Sequence, residues 1–264
     1  MPHNAPPSLV PHETKSAAGN TSPGALTARA ARLNVQMRHH AAQDVIRSAV
    51  EAIPRLALVS SFGAESVALL HLASRVKKDL PILFIDTEML FAETRTYQRD
   101  VAVKLGLTHI TVVRATEISQ HDPDGRLHST NPDACCTLRK TVPLQSALQK
   151  FDGWITGRKR FQSGQRATLP HFEAEAHSDG GNARIKINPL AYWSAQDVQD
   201  YIEENNLPRH PLVARGYPSI GCAPCTSAVH PGEDPRAGRW RNQSKNECGI
   251  HFVDGKMIRQ GAST

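Results

Sequence analysis

The sequence predicts an α/β fold built on a doubly wound, mostly parallel sheet. Three observations predict it. Apolar runs of strand length alternate with amphipathic segments of helical spacing from about residue 38 onward. The order strand, helix, strand repeats, as parallel pairing with crossover helices requires. The first strand runs into SSFGAES, residues 60 to 66, a small-residue junction placed where ligands bind in such sheets, beyond the carboxyl end of a strand.

Each element follows in order. Residues 1 to 30 are rich in Pro, Ala, Ser, Thr and Asn without apolar periodicity, and are expected to be a disordered extension. LALVS (56–60), PILFID (81–86) and HITVVRA (109–115) read as buried strands, with helices over 64–76 and 93–106 between them. GWITG (153–157) reads as a fourth strand and RIKINPL (184–190) as a fifth. Residues 194–206 form a helix with Ser194 as N-cap and Asp197 three positions on, close to a capping box. After residue 207 the chain turns rich in Pro, Gly, Cys and Arg, and such a segment needs something other than a core to hold it. The expected organisation is an α/β domain over 38–232 and a tail over 233–264.

At 264 residues the chain suits one well-buried α/β domain, or a domain with an appended lobe. No apolar run approaches the roughly 18 to 20 residues that span a bilayer. The N-terminus lacks the basic-then-apolar order of an export signal. A cytoplasmic protein without a membrane partner is expected. A net charge of +6 and a pI of about 9.2 point to an anionic partner. The basic residues lie in patches, GRKRFQSGQR (157–166) and PRAGRWR (235–241), which suit a pocket better than a duplex-binding stripe. The junction after the first strand, with Gly63 and its hydroxyls, can cradle an anion on backbone amides; a plain turn is the alternative.

There are five cysteines, and in a chain of this kind they are more often metal ligands or catalytic thiols than disulfides. Cys135 and Cys136 are adjacent, and a trans peptide sets their Cα atoms about 3.8 Å apart, below the usual disulfide range of about 4.4 Å and more. GCAPC (221–225) supplies a second pair, Cys222 and Cys225. Four thiolates suffice for a tetrahedral zinc or a cubane iron-sulfur cluster. A tandem pair must bend its backbone to aim both sulfurs at one ion, whereas a cubane offers each its own iron, which favours the cluster. Pro132 and Asp133 start a helix bearing the pair, Pro143 ends or kinks it, and Lys140, four residues beyond Cys136, shares its face. Cys248 stands apart in KNECGIHF, where Lys245, Gly249 and His251 make a setting that favours a thiolate. A lone thiol on a glycine-bearing tail suits a mobile nucleophile; a surplus surface thiol is the plain alternative.

The Cys135–Cys136 pair, HPLVARGYPSIGCAPCT (210–226) and ECGIH (247–251) together resemble the sulfonucleotide reductases of assimilatory sulfate reduction. In particular they look like the iron-sulfur adenylyl-sulfate (APS) reductases, over about residues 56 to 252. Members confined to the 3′-phosphorylated substrate PAPS typically keep the ECG-H tail and lack the other four cysteines. The resemblance implies an adenine-nucleotide-hydrolase-like fold of PP-loop type with a mobile C-terminal tail. It implies a 4Fe-4S cluster on Cys135, Cys136, Cys222 and Cys225, Cys248 as catalytic nucleophile and His251 as an accessory. SSFGAES matches the family's modified PP-loop, placing Ser60, Ser61, Phe62 and Gly63 at the substrate. Arg160, Gln162, Ser163 and Arg166 match a G-x-R-R-x-Q-S-x-x-R pattern, Arg236 and Arg239 an R-x-G-R-W segment facing the phosphosulfate, and Lys140 the lysine between cluster and substrate. Three positions depart: Lys159 stands for an arginine, and Glu88 and Ala92 interrupt a D-T-G-x-L-F-P-E-T segment, Glu88 at its glycine.

The implied reaction is thioredoxin-dependent reduction of APS to sulfite and AMP through an S-sulfocysteine, serving sulfate assimilation and cysteine biosynthesis. PAPS or dual use is the nearest alternative, and self-association is open. An ATP-using PP-loop tRNA thiolase is remoter, because Ala64 and Glu65 stand where an S-G-G-x-D-S loop has its second glycine and aspartate. A zinc-stapled nucleic-acid module is the non-enzymatic alternative.

Overall fold

The computed structural model describes residues 22–162, 164–175, 183–241, 245, 252–253 and 256–257. Six strands form one sheet: β1 (Leu56–Ser60), β2 (Ile82–Ile85), β3 (Ile110–Val113), β4 (Gly153–Ile155), β5 (Phe172–Glu175) and β6 (Arg184–Ile187). Their order is β3-β2-β1-β4-β6-β5, parallel throughout except for β5 against β6. Two short strands, β7 (Phe252–Val253) and β8 (Lys256–Met257), pair separately. The helices are α1 (Pro23–Gln36), α2 (Ala42–Ala52), α3 (Ser66–Val76), α4 (Ala92–Leu105), the single turns α5 (Ile118–His121) and α6 (Leu127–Thr130), then α7 (Pro132–Cys136), α8 (Val142–Leu148) and α9 (Ala195–Glu204).

Side-chain alternation along β1 divides the core. Leu56 and Leu58 join one layer with Ile46 of α2, Leu70 of α3 and Ile202 of α9; Ala57 and Val59 join the other with Leu144 and Leu148 of α8. Helices therefore cover both faces. The chain runs outward from β1 through β2 to β3 and then returns to β4 on the other side of β1. That reversal opens a crevice beyond the carboxyl ends of β1 and β4, the place where doubly wound sheets bind ligands.

Four expectations change. Residues 23–30 belong to the fold: α1 starts at Pro23 with Ser22 as N-cap, and its thin stripe of Leu26, Ala30 and Leu33 is buried. Two small alanine-rich turns carry too little apolar signal to be read locally. The Asn34 amide completes the contact, donating to the Phe172 carbonyl at 2.7 Å and accepting from its N–H at 2.9 Å, so that it satisfies the free side of β5. Strand β3 lies at the other edge, with Thr111 and Val112 exposed, and is not a buried strand. Strand β5 was not predicted, because FEAE carries two glutamates, and the buried Glu175 is tolerated through its ion pairs with Lys186 and Arg184 on β6 and the hydrogen bond it accepts from the Trp154 indole at 2.9 Å. Of the end or kink expected at Pro143, the end does not occur: α7 passes through an irregular π turn, Thr137–Thr141, directly into α8. The wider turn makes room for a proline that can neither donate nor fit a regular turn.

The first part of the expected tail is packed. Thr226 bridges Arg239, Ser227 N–H donates to the Gly238 carbonyl at 2.9 Å, and Trp240 is 2% exposed. The predicted capping box on α9 is formed in full by Ser194 and Asp197.

Candidate active site

The crevice at the β1/β4 reversal is a cavity lined by Ser60, Ser61, Gly63, Glu65 and Ser66 from the β1–α3 junction, by Thr156 to Lys159 and Gln162 and Arg166 after β4, by Ser219 to Cys222, and by Arg236 and Arg239. Lys140 and Thr87 complete the wall on the side of α7.

The junction is tight by construction. Phe62 takes a left-handed backbone, φ +48°, and its N–H donates to Ser60 Oγ at 3.1 Å. Its ring is fully buried edge-on to Phe84, 5.2 Å between centroids, so Phe62 anchors the loop in the core and its side chain does not line the cavity as expected. A Cβ on Gly63 would stand 3.2 Å from the Ile220 carbonyl oxygen, so glycine permits the two loops to meet there.

Among the described residues six cationic side chains line the cavity, Lys140, Arg158, Lys159, Arg166, Arg236 and Arg239, against one carboxylate, Glu65. Lys159, the departure from arginine, is 3% exposed and pairs with Glu65 at 2.8 Å. Burial pulls its ammonium below the usual lysine range, with Glu65 opposing the shift. Gln162 Oε1 accepts from the Lys159 N–H at 3.1 Å and from the Arg166 guanidinium, ordering the basic loop. Arg239 stacks on Trp240, 4.5 Å from guanidinium carbon to ring centre, and lies against the bare backbone of Gly221. Arg160 goes elsewhere: it lies over the Tyr192 ring at 3.9 Å and donates to the Leu169 carbonyl at 2.8 Å, outside the cavity wall. Arg158, not singled out from sequence, takes the inward place, held by Asn188 at 3.2 Å and by Glu173. Both arginines stand in GRKR, and spacing alone did not say which faced in.

The two cysteine pairs come together beside this cavity. Burial raises the Cys135 thiol to about 11, and Cys136, Cys222 and Cys225 add to the rise, so the four sulfurs are electrostatic neighbours. Cys225 is likewise raised by burial and by Cys222, with Lys140 and Arg239 opposing. Every sulfur faces a donor or cation: Arg139 acts on Cys135, Lys245 on Cys136, Lys140 on Cys225, and Thr87 Oγ1 lies 3.2 Å from Cys222 Sγ. Among the described residues no group of three or more His, Cys, Asp or Glu is arranged around a single ion position. Arg139, also missed from sequence, is 4% exposed and ties the cysteine helix down through Asp122 at 2.8 Å and the Thr87 carbonyl at 3.0 Å. Its signal was a lone arginine in TLRK, indistinguishable from a solvated one.

The structure thus brings Ser60, Ser61, Gly63, Lys140, Gln162, Arg166, Arg236 and Arg239 to one cavity, with Cys222 in its wall and the other three cysteines adjoining. Ser163, Cys248 and His251 lie outside the described residues.

The sequence matches the model of the phosphoadenosine phosphosulfate reductase domain over residues 55–228. It is 46% identical over 86% of its length to an adenosine 5′-phosphosulfate reductase of Mesorhizobium japonicum, covering 89% of that protein, and 37% identical over 86% of its length to one of Streptomyces coelicolor, covering 94%. The fold superposes on the phosphoadenylyl-sulfate (PAPS) reductase of Candida auris with a TM-score of 0.63 at 31% identity, over 76% of this chain and 96% of that one. An FMN adenylyltransferase of Candida glabrata, at a TM-score of 0.52 and 14% identity over 82% of this chain and 79% of that one, shares the fold alone. The mostly parallel sheet, the cationic crevice and these matches have one common reading: the chain belongs to the phosphoadenosine phosphosulfate reductase domain family.

Proposed function

We propose that this protein is an oxidoreductase that reduces adenosine 5′-phosphosulfate to sulfite and AMP in sulfate assimilation, using a thioredoxin-like dithiol. The observation that carries the reading is the junction of a six-cation cavity with a four-cysteine site, Lys140 standing in the wall of the first and acting on the second. The names of the relatives at 37–46% identity support the substrate.

In this reading the Cys248 thiolate attacks the sulfur of the bound sulfonucleotide. The new S–S bond forms on Cys248 as the S–O bond to the phosphate breaks, and AMP leaves with the electron pair. Two anions repel, so positive charge from Arg236, Arg239 and Lys140 offsets that repulsion in the transition state. A thiolate of the reductant then attacks Cys248 Sγ and expels sulfite. The reductant's second thiol resolves the mixed disulfide, and Cys248 returns as a thiolate. His251 serves as an accessory in keeping Cys248 ionised. A free nucleophilic thiol of this kind belongs in a reducing compartment, which supports the cytoplasm.

A 4Fe-4S cluster held by Cys135, Cys136, Cys222 and Cys225 fits the donor set. Four thiolates gathered with a cation or hydroxyl donor at each sulfur suit an anionic cluster. Sulfurs spread over four irons need not converge on one ion position, as zinc demands. When bound, the group would supply fixed negative charge next to Lys140 and a cross-link between α7 and the 222–225 turn.

The test is Cys248→Ser in iron-loaded enzyme. S-sulfocysteine formation from adenosine 5′-phosphosulfate, read by intact-protein mass, disappears while iron and sulfide content stay at the wild-type level. Persistent sulfonation removes Cys248 as the nucleophile. The likeness to a PAPS reductase favours assaying both sulfonucleotides side by side, and sulfite released faster from PAPS would reverse the substrate assignment.

A further inference from the structure

Lys245 lies three residues before Cys248 and more than a hundred residues from anything on α7. Its Nζ nevertheless donates to the Pro132 carbonyl oxygen at 3.3 Å and pairs with the Asp133 carboxylate, in the first turn of the helix that carries Cys135 and Cys136. Its side chain is 12% exposed, although its partner Asp133 is 71% exposed. An ordinary surface lysine lets its head group reach water. An exposed ion pair gives little reason to do otherwise. Here the ammonium is drawn onto the protein, where it also faces the Cys136 sulfur, so Lys245 itself is held against an element remote in sequence.

We propose that Lys245 is a positioning residue, anchoring through Asp133 and the Pro132 carbonyl the chain segment that presents Cys248 to the cavity beside α7. This rests on Cys248 being the nucleophile. Three residues of chain reach at most roughly 11 Å. A fixed Lys245 therefore confines Cys248 to the neighbourhood of the cysteine helix, whose continuation carries Lys140 into the cavity wall. Attack needs the thiolate held at bonding distance from the sulfonate sulfur, and the anchor supplies that restriction from outside the reacting groups.

The test compares Lys245→Ala, Lys245→Arg and Asp133→Asn with wild type, all as iron-loaded full-length enzyme with equal iron per chain. Single-turnover sulfonation by adenosine 5′-phosphosulfate should slow by at least about tenfold in Lys245→Ala at saturating substrate, with the half-saturating concentration within about twofold of wild type. Without substrate, alkylation of Cys248 by N-ethylmaleimide should quicken in the same variant, as peptide mass mapping would read. Lys245→Arg should recover both rates, and Asp133→Asn should move both part of the way; being an exposed, conservative change, it also keeps the test available should Lys245→Ala fail to fold. Sulfonation and alkylation at wild-type rates in Lys245→Ala and Asp133→Asn would overturn the anchor. If instead the Cys248→Ser experiment fails, the alkylation result still reports whether Lys245 restrains the segment, so the two failures are separate.

Discussion

The Lys159 ammonium lies 2.8 Å from the Glu65 carboxylate, the one acidic side chain among the described residues of a cavity wall that holds six cationic ones. Lysine replaces a planar arginine there, and its charge is met by a neighbour inside the protein. Glu65→Gln removes the counter-charge from an almost fully buried ammonium. Breaking such a pair costs about 3 kcal/mol, somewhat less here because Glu65 keeps partial solvent contact. The expected result is a lower urea midpoint for Glu65→Gln, largely restored in the double variant Glu65→Gln with Lys159→Met. A double variant no better than the single would show that the pair is not what holds the loop.

The buried Arg139–Asp122 pair, both side chains at most 5% exposed, fixes the cysteine helix to the turn after α5, while the same guanidinium donates to the Thr87 carbonyl just beyond β2. Arg139 overcomes the effect of burial and holds the Asp122 carboxyl below its usual range. Arg139→Gln should lower stability by about 3 kcal/mol and reduce iron bound per chain, because the pair orients Cys135 and Cys136. Unchanged iron stoichiometry with normal stability would refute this.

Glu88 keeps the left-handed backbone of a glycine, φ +61°, supported by its N–H donating to Asp86 Oδ1 at 3.0 Å. The departure from glycine leaves the turn in place and loads it with strain of about 1 kcal/mol. Glu88→Gly should relieve it, offset in part by the greater freedom of glycine in the unfolded chain, for a net gain of about 0.5 kcal/mol by chemical denaturation. A loss of stability would mean that the exposed Glu88 side chain contributes more than the strain.

His210 is buried against Tyr97, its Nδ1 accepting from the Leu212 N–H at 3.2 Å and its Nε2 3.0 Å from Thr94 Oγ1. Burial lowers its pKa to about 4, with Glu93 opposing. The unfolded chain, with histidine at about 6.5, binds the extra proton first. The contribution of neutral His210 is therefore complete above about pH 6.5 and is lost as pH falls toward 4. In His210→Gln the decline in urea midpoint between those values should be shallower than in wild type. Parallel declines would place the titration elsewhere.

Much of this was legible in the chain. Strands β1, β2 and β4 and the helices between them follow from runs of apolar residues at periods of two and 3.6, and the α9 capping box from Ser194 and Asp197. The cysteine pairs stood out because four thiols at two tight spacings have few uses. Strand β5 was hidden because Glu175 reads as polar until Lys186 and Arg184 are beside it. Helix α1 was hidden because its buried stripe is short and largely alanine.

The layered α/β plan, the basic loops and the set of five cysteines are properties of composition and of neighbours within a few residues, and they can be read along the chain. Which of those residues share a space depends on the folded arrangement. Arg158 turns inward while Arg160 lies on Tyr192, Phe62 enters the core, Glu65 meets Lys159 across 94 positions of chain, and Lys245 reaches Asp133. The physical reason is that periodicity fixes the face of an element. The direction in which a loop side chain leaves, and the partner it finds, are set by packing and charge from segments far away in sequence.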